Sequence, residues 1–222
     1  MLAPLCLAVA AGCTAGRMLP AASAQVIPGA PEAAAVEIDG LRVSANGDDW
    51  TASPADLSRK LTPVKVRIVN HSGAPALITY DRFQLVGGHG RIYRAIPIVP
   101  LDHQAPLDGA GTIEPIYAAS KFFIAPRYHD VYPTLDAWPH PLDRESAASD
   151  SAYAGWGSNL PSQSMRRMGL PEGVLGDGGE ISGFLYFENA TKRERRLTFQ
   201  ADIGDAPTGQ QLAEIAIPFR VE

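Results

Sequence analysis

Residues 125–160 bring together the side chains best suited to ligand chemistry. This segment is rich in aromatic residues, proline and histidine and reads APRYHDVYPTLDAWPHPLDRESAASDSAYAGWGSNL. Aromatic rings offer large apolar faces with a polar handle on Tyr and Trp, which suits them to stacking against a glycan. The alternatives are that the rings anchor a long loop as a small core or contact a partner protein. The predicted ligand or partner surface consists of Tyr128, His129, Tyr132, Trp138, His140 and Trp156.

No catalytic or metal-binding pattern accompanies this surface. His129, Asp130, His140 and Asp143 carry suitable donor atoms, but the ten residues between the two histidines match no established zinc spacing. The GWGSN segment at residues 155–159 lacks the G-x-S-x-G spacing of a nucleophile elbow. We therefore predict no catalytic residue, no metal and no cofactor, and expect a protein that is not an enzyme.

Composition limits the class of protein. The chain has 222 residues and a net charge of −5, so it lacks the basic surplus of a general nucleic-acid binder, and no nucleic-acid partner is predicted. Hydrophobic residues make up 45%, which supports a packed core. The 21 glycines and 19 prolines favour turns over long helices. Both cysteines, Cys6 and Cys13, lie near the start, so the body of the chain cannot form a disulfide.

The first 13 residues resemble a bacterial lipoprotein signal. Residues 2–12 are uncharged, largely apolar and too short to span a bilayer. They end in VAAGC, which resembles the lipobox, where small residues precede a cysteine whose thiol receives diacylglycerol. The resemblance implies that residues 1–12 are a signal peptide and that Cys13 is lipidated. Two alternatives remain: a signal cleaved near residues 21–24, or a cytosolic protein.

Residues 13–35 are predicted to form the lipidated cysteine and a flexible linker. The segment TAGRMLPAASAQVIPGAPEAAA is mostly alanine, proline, glycine and serine, a composition typical of linkers. A flexible chain of this length spans roughly 25 Å. It would hold a domain beginning near Val36 away from a membrane. Thr14 after the cysteine favours the outer membrane, with the domain in the periplasm.

From Val36 onward, short β segments alternate with turns. Val64, Val66 and Ile68 alternate with polar residues, which is typical of a half-buried strand. Similar patterns follow in ISGFLYFE and RLTFQADIG. Because no helix–strand alternation is present, we predict an all-β, antiparallel sandwich with at most one or two short helices. One of these helices is expected at residues 163–168, after Pro161-Ser162.

Two stretches resemble a known family. LTPVKVRIVNHSGAPALITYDRFQLVGGHGRIYRAI and GGEISGFLYFEN are similar to the immunoglobulin-like accessory domain of many bacterial lipoproteins, also called telomeric-repeat-binding-factor-like. The resemblance covers residues 36–96 and 176–222. It implies an immunoglobulin-like β-sandwich over residues 36–222 and a place in the cell envelope, and it carries over no catalytic residue. The segment at about 97–174 is then a long insertion.

These observations favour a non-enzymatic envelope lipoprotein that presents a β-sandwich to a protein or surface component. The alternative is a hydrolase or carbohydrate-binding protein whose site lies in the insertion at 97–174. The one basic run, KRERR at residues 192–196, is expected at a hairpin tip. It is either a solvated turn or a contact with anionic lipid or lipopolysaccharide.

Overall fold

Antiparallel β-strands dominate the computed structural model, which describes residues 16–98, 118–124 and 160–222. Within these residues there are twelve strands, one α-helix of six residues and two 3-10 turns, at Leu57–Arg59 and Tyr80–Arg82. The helix, α1, is Gln163–Met168, as predicted. The strands are β1 Met18–Pro20, β2 Val26–Ile27, β3 Ala30–Ile38, β4 Leu41–Asn46, β5 Leu61–Asn70, β6 Ala76–Ile78, β7 Phe83–Gly87, β8 Ile92–Arg94, β9 Ala118–Ile124, β10 Gly173–Glu188, β11 Arg196–Asp205 and β12 Gln211–Val221.

The strands form one sheet that nearly closes on itself. Its main order is β1-β12-β11-β6-β10-β5-β4-β3-β2, while β7 pairs with β11 and β8, and β9 pairs with β10. Every strand pairing is antiparallel. A bridge between Met18 and Gly47 joins β1 to the end of β4, near the other end of the strand order. The prediction of an antiparallel all-β fold is therefore confirmed at this level.

The hairpin between β3 and β4 shows how the sequence sets a register. Asp39 and Gly40 are its two loop residues, and both have positive φ angles, 49° and 80°. Positive φ at both positions is typical of a type I′ turn, whose twist matches that of the flanking strands. Gly40 has a second role, because a Cβ there would lie 2.4 Å from the carbonyl oxygen of His71.

The longest strand, β10, is buried on both faces. Its Leu185 and Phe187 contribute to the main hydrophobic cluster, whereas Phe184 and Tyr186 contribute to a second cluster. Successive side chains of a strand point to opposite faces, so the two clusters lie on opposite sides of β10. The glycines at 176, 178 and 179 lie inside this strand, where the pairing with β9 shifts register between Leu175 and Glu180.

The outer surface of this central pair carries an ion pair. Arg67 of β5 binds both carboxylate oxygens of Glu180 of β10, at 2.6 and 2.7 Å. Hydrogen bonding to the Arg67 guanidinium lowers the pKa of Glu180, with burial acting in the opposite direction. Because both side chains are substantially exposed, the pair contributes at most about 1 kcal/mol to stability.

The flexible linker predicted over residues 13–35 is wrong for residues 18–35, which form β1, β2 and most of β3. Met18 is completely buried in the main cluster, and so is Ala34. The alanines that suggested a linker are small enough to pack closely against neighbouring strands. The described β-domain thus includes residues well before the predicted boundary at Val36.

We predict that Met18→Ala lowers the free energy of unfolding by about 2–5 kcal/mol, because it opens a cavity in the main cluster. Urea denaturation measures this change. Val26→Ala is the control, since Val26 is 45% exposed in the same N-terminal segment and its truncation should cost less than about 0.5 kcal/mol. Equal, small effects of both substitutions would contradict the placement of β1 in the core.

Candidate functional site

The residues singled out from the sequence as functional lie outside the described parts of the chain. The lipidation site, Cys13, and the ligand surface therefore stay predictions. The residues of that surface are Tyr128, His129, Tyr132, Trp138, His140 and Trp156.

The described ends of the insertion are held firmly by the domain. Ile98, which ends the first described segment, is completely buried, and Leu160, which begins the last described segment, is 8% exposed. Both side chains belong to the second hydrophobic cluster. Between them, β9 pairs with β10, with Ile124 opposite Gly173. The aromatic segment thus follows β9, which pairs with β10, and ends at Leu160, which packs in the second cluster.

Aromatic packing organises this side. The ring of Trp50 meets Phe184 and Tyr186 edge to face, with centroids 5.2 and 5.8 Å apart. Its indole Nε1 donates a hydrogen bond to the carbonyl oxygen of Pro54 at 2.9 Å. The hydroxyl of Tyr186 donates to the carbonyl oxygen of Met165 in α1 at 3.2 Å, and burial raises the pKa of Tyr186. The cluster therefore fixes α1 against β10.

Capping explains why α1 forms at this position. Ser162 is its N-cap, and its Oγ accepts a hydrogen bond from the backbone N–H of Met165 at 3.3 Å. The same Oγ donates to the carbonyl oxygen of Ser53 at 2.9 Å. One side chain thus both starts the helix and ties it to the loop before β5.

A buried tyrosine links the ends of the insertion. The hydroxyl of Tyr80 donates to the carbonyl oxygen of Leu170 at 2.5 Å, and the carbonyl oxygen of Ile98 lies 3.2 Å from it. The backbone N–H of Tyr80 donates to the carboxylate of Glu172 at 2.6 Å. Satisfied buried polar groups of this kind rigidify a structure. Tyr80 therefore ties the described residues Ile98 and Leu170 to each other.

The described residues contain no group of three or more His, Cys, Asp or Glu side chains placed to hold a metal. The pKa shifts found there belong to ion pairs and buried phenols: Arg17, Arg67, Tyr93, Glu180 and Tyr186. Each of these groups is accounted for by a partner that holds the fold or by burial. The resolved pKa shifts among the described residues thus reflect ion pairing and burial.

A cleft of about 420 Å³ lies beside β1, and its walls include Leu19, Val26 and the guanidinium groups of Arg17 and Arg220. Both cations are already engaged. Arg17 binds Asp48 through Nε at 2.8 Å and through Nη2, and Arg220 Nε binds Glu222 at 2.8 Å. These two guanidinium groups therefore already pair with carboxylates outside the cleft lining, and the lining also contains the acidic residue Glu32.

The sequence did not predict that the N-terminal segment pairs with the end of β12. The backbone N–H of Arg17 donates to the carbonyl oxygen of Glu222 at 2.9 Å, and Glu222 returns a bond to Arg17 at 3.0 Å. A Cβ on Gly16 would lie 3.0 Å from the carbonyl oxygen of Thr191, in the turn between β10 and β11. The described N-terminal segment therefore begins next to this turn, which contains the basic run.

The turn between β10 and β11 is itself rigid. Glu194 is 8% exposed, and its carboxylate accepts a hydrogen bond from the hydroxyl of Tyr93 at 3.0 Å. Burial and this hydrogen bond raise the pKa of Tyr93, and Arg91 opposes the rise. Thr62 Oγ1 accepts from the backbone N–H of Ala190 at 3.0 Å. The turn thus holds the exposed cations around Glu194 in defined positions.

No helix among the described residues is long and apolar enough to cross a bilayer.

Comparison with protein-family models, with curated proteins and with solved structures finds no match for this chain. The resemblance to the immunoglobulin-like accessory domain therefore rests on the sequence patterns alone.

We predict that Glu194→Ala lowers the free energy of unfolding by about 1.5–3 kcal/mol, because the buried phenol of Tyr93 loses a charged acceptor. Thermal or urea unfolding measures the loss. Glu188→Ala, in the same turn region but with a side chain 70% exposed, is the matched control and should change stability by less than about 0.5 kcal/mol. A Glu194→Ala protein as stable as the control would refute the anchoring role of Glu194.

Proposed function

We propose that this protein is a non-enzymatic bacterial cell-envelope lipoprotein. Residues 1–12 are its signal peptide, and Cys13 carries the lipid. The β-domain is presented at the outer membrane, on the periplasmic side, to a protein or surface component. Its membrane partner is the bilayer, reached through the lipid on Cys13.

The observation that carries the proposal is the position of β1. A signal peptide cleaved near residues 21–24 would remove β1, including the fully buried Met18. It would also expose an edge of β12, with its unpaired N–H and C=O groups, for pairing with other chains. An export signal compatible with this fold must therefore be cut before Gly16, and the cysteine of VAAGC lies three residues upstream of Gly16.

The lipobox chemistry fits this boundary. Cleavage before Cys13 leaves its thiol at the new N-terminus, and the preceding Ala10, Ala11 and Gly12 are small enough for a peptidase to bind an extended chain. The cut leaves β1 and its partner β12 intact. The envelope location and the lipid anchor thus follow from one processing step.

We also propose that the domain is a variant of the immunoglobulin-like sandwich. The antiparallel strands and the predominantly short connections among the described residues support this assignment. Strands β1 and β2, the first part of β3 and the bridge from Met18 to Gly47 are additions that the resemblance did not include.

The test is the intact mass of the protein from a bacterial membrane fraction, expressed with its native upstream region. We expect residues 13–222 plus acyl groups, and uptake of labelled palmitate. Cys13→Ser should abolish labelling and leave the protein unprocessed. Cys6→Ser is the matched control and should be processed and labelled as the unsubstituted chain is.

Two results would contradict the proposal. One is a mature N-terminus near residue 25, which would mean that a different signal peptidase acts and that β1 is dispensable. The other is a Cys13→Ser protein with unchanged mass, labelling and membrane fractionation.

A further inference from the structure

We propose that one end of the domain, the basic pole, lies against the surface of an anionic phospholipid bilayer. The basic pole consists of Arg59, Lys60, Lys192, Arg195 and Arg196. The proposal rests on the proposed function, because it takes Cys13 as the membrane anchor. It goes further by assigning a face of the domain and the lipid chemistry that this face recognises.

The five residues come together through the turn between β10 and β11. Lys192, Arg195 and Arg196 belong to the turn or begin β11, and all three are exposed. Arg59 and Lys60 are also exposed, and the side chain of Asn189 donates a hydrogen bond to the carbonyl oxygen of Arg59 at 2.7 Å. The fold thus joins two separate basic segments into one surface.

The five cations of the pole have no ion-pair partner among the described residues, although the domain contains several exposed pairs. The neighbouring Arg193 lies 4.0 Å from Glu188, so we leave it out of the pole. Glu194, the acid inside the basic run, is buried and occupied by the hydroxyl of Tyr93. Neither an ion pair with a described residue nor Glu194 therefore neutralises the five cations of the pole.

The path of the chain places this pole near the proposed anchor. Gly16 contacts the turn at the carbonyl oxygen of Thr191, next to Lys192. Only Thr14 and Ala15 lie between Cys13 and Gly16, so the Cα atoms of Cys13 and Gly16 are at most about 11 Å apart. With the sulfur of Cys13 at the headgroup level, this maximum separation is comparable to the Debye length of about 8 Å at physiological salt.

The remaining charge favours one orientation. The whole chain carries −5 even with these five cations, so the rest of the protein is net negative. An anionic surface therefore attracts the pole and repels the remainder. Each Lys or Arg near such a surface strengthens binding roughly fivefold. The charges act with the lipid anchor as a second membrane signal.

The test uses the full-length chain with Cys13→Ser, so that binding reports the protein surface without the lipid. Vesicle flotation compares phosphatidylglycerol mixed with phosphatidylcholine against phosphatidylcholine alone. The pole variant is Lys192→Gln/Arg195→Gln. Its matched control is Arg42→Gln/Lys121→Gln, which also removes one arginine and one lysine. These two residues lie on β4 and β9, near the ends of β5 and β10 that are far from the pole. Both variants contain the apolar residues 1–12, so the test compares their vesicle affinities with each other.

We expect salt-sensitive binding to the phosphatidylglycerol vesicles, weakened roughly thirtyfold in the pole variant and nearly unchanged in the control. Equal affinities of the two variants would overturn the proposal. So would weakened binding of the pole variant to lipopolysaccharide micelles with no change on phosphatidylglycerol. The mass of the membrane-extracted protein tests lipidation separately. A lipidated protein whose pole does not bind vesicles therefore refutes this inference and leaves the proposed function standing.

Discussion

The pairing of β1 with β12 is the constraint on which the rest of the structure depends. Without β1, the last strand would present a free edge, and the main cluster would lose the completely buried side chain of Met18. The bridge from Met18 to Gly47 then brings the sheet close to closure. Because this strand is so near the start of the chain, it limits where an export signal can be removed. It also sets the distance between the domain and any anchor at Cys13.

The second organising element is β10, which is buried on both faces. Leu185 and Phe187 pack inside the nearly closed sheet, while Phe184 and Tyr186 pack beneath α1 and the described ends of the insertion. A change in this strand therefore affects the domain core and the base of the insertion together. The described residues within the predicted insertion at 97–174 thus contact the same strand that lies at the centre of the sheet.

Side-chain alternation and capping made much of the fold predictable. The period-two pattern of Val64, Val66 and Ile68 correctly indicated β5, and Pro161-Ser162 correctly indicated the start of α1. Composition misled at residues 18–35, because a strand that pairs through backbone groups needs no large apolar side chains. Proline in a strand usually indicates an edge position or a bulge. Pro218 instead lies in β12, which is flanked by β11 and β1, and its carbonyl oxygen accepts from the N–H of Ala21 at 3.0 Å. The basic run could be recognised in the sequence. That Arg59 and Lys60 lie beside it could not be predicted, because only the fold brings the two segments together.

Hydrogen exchange of the membrane-extracted protein tests the central claim most directly. A peptide covering residues 16–24 reports on the N–H groups of Arg17 and Ala21, which donate to Glu222 and Pro218 at 2.9 and 3.0 Å. If β1 closes the sheet, this peptide exchanges as slowly as one covering residues 211–222. Rapid exchange of residues 16–24 beside a protected β12 would mean that the segment is a linker after all. It would also remove the reason for placing the processing site before Gly16.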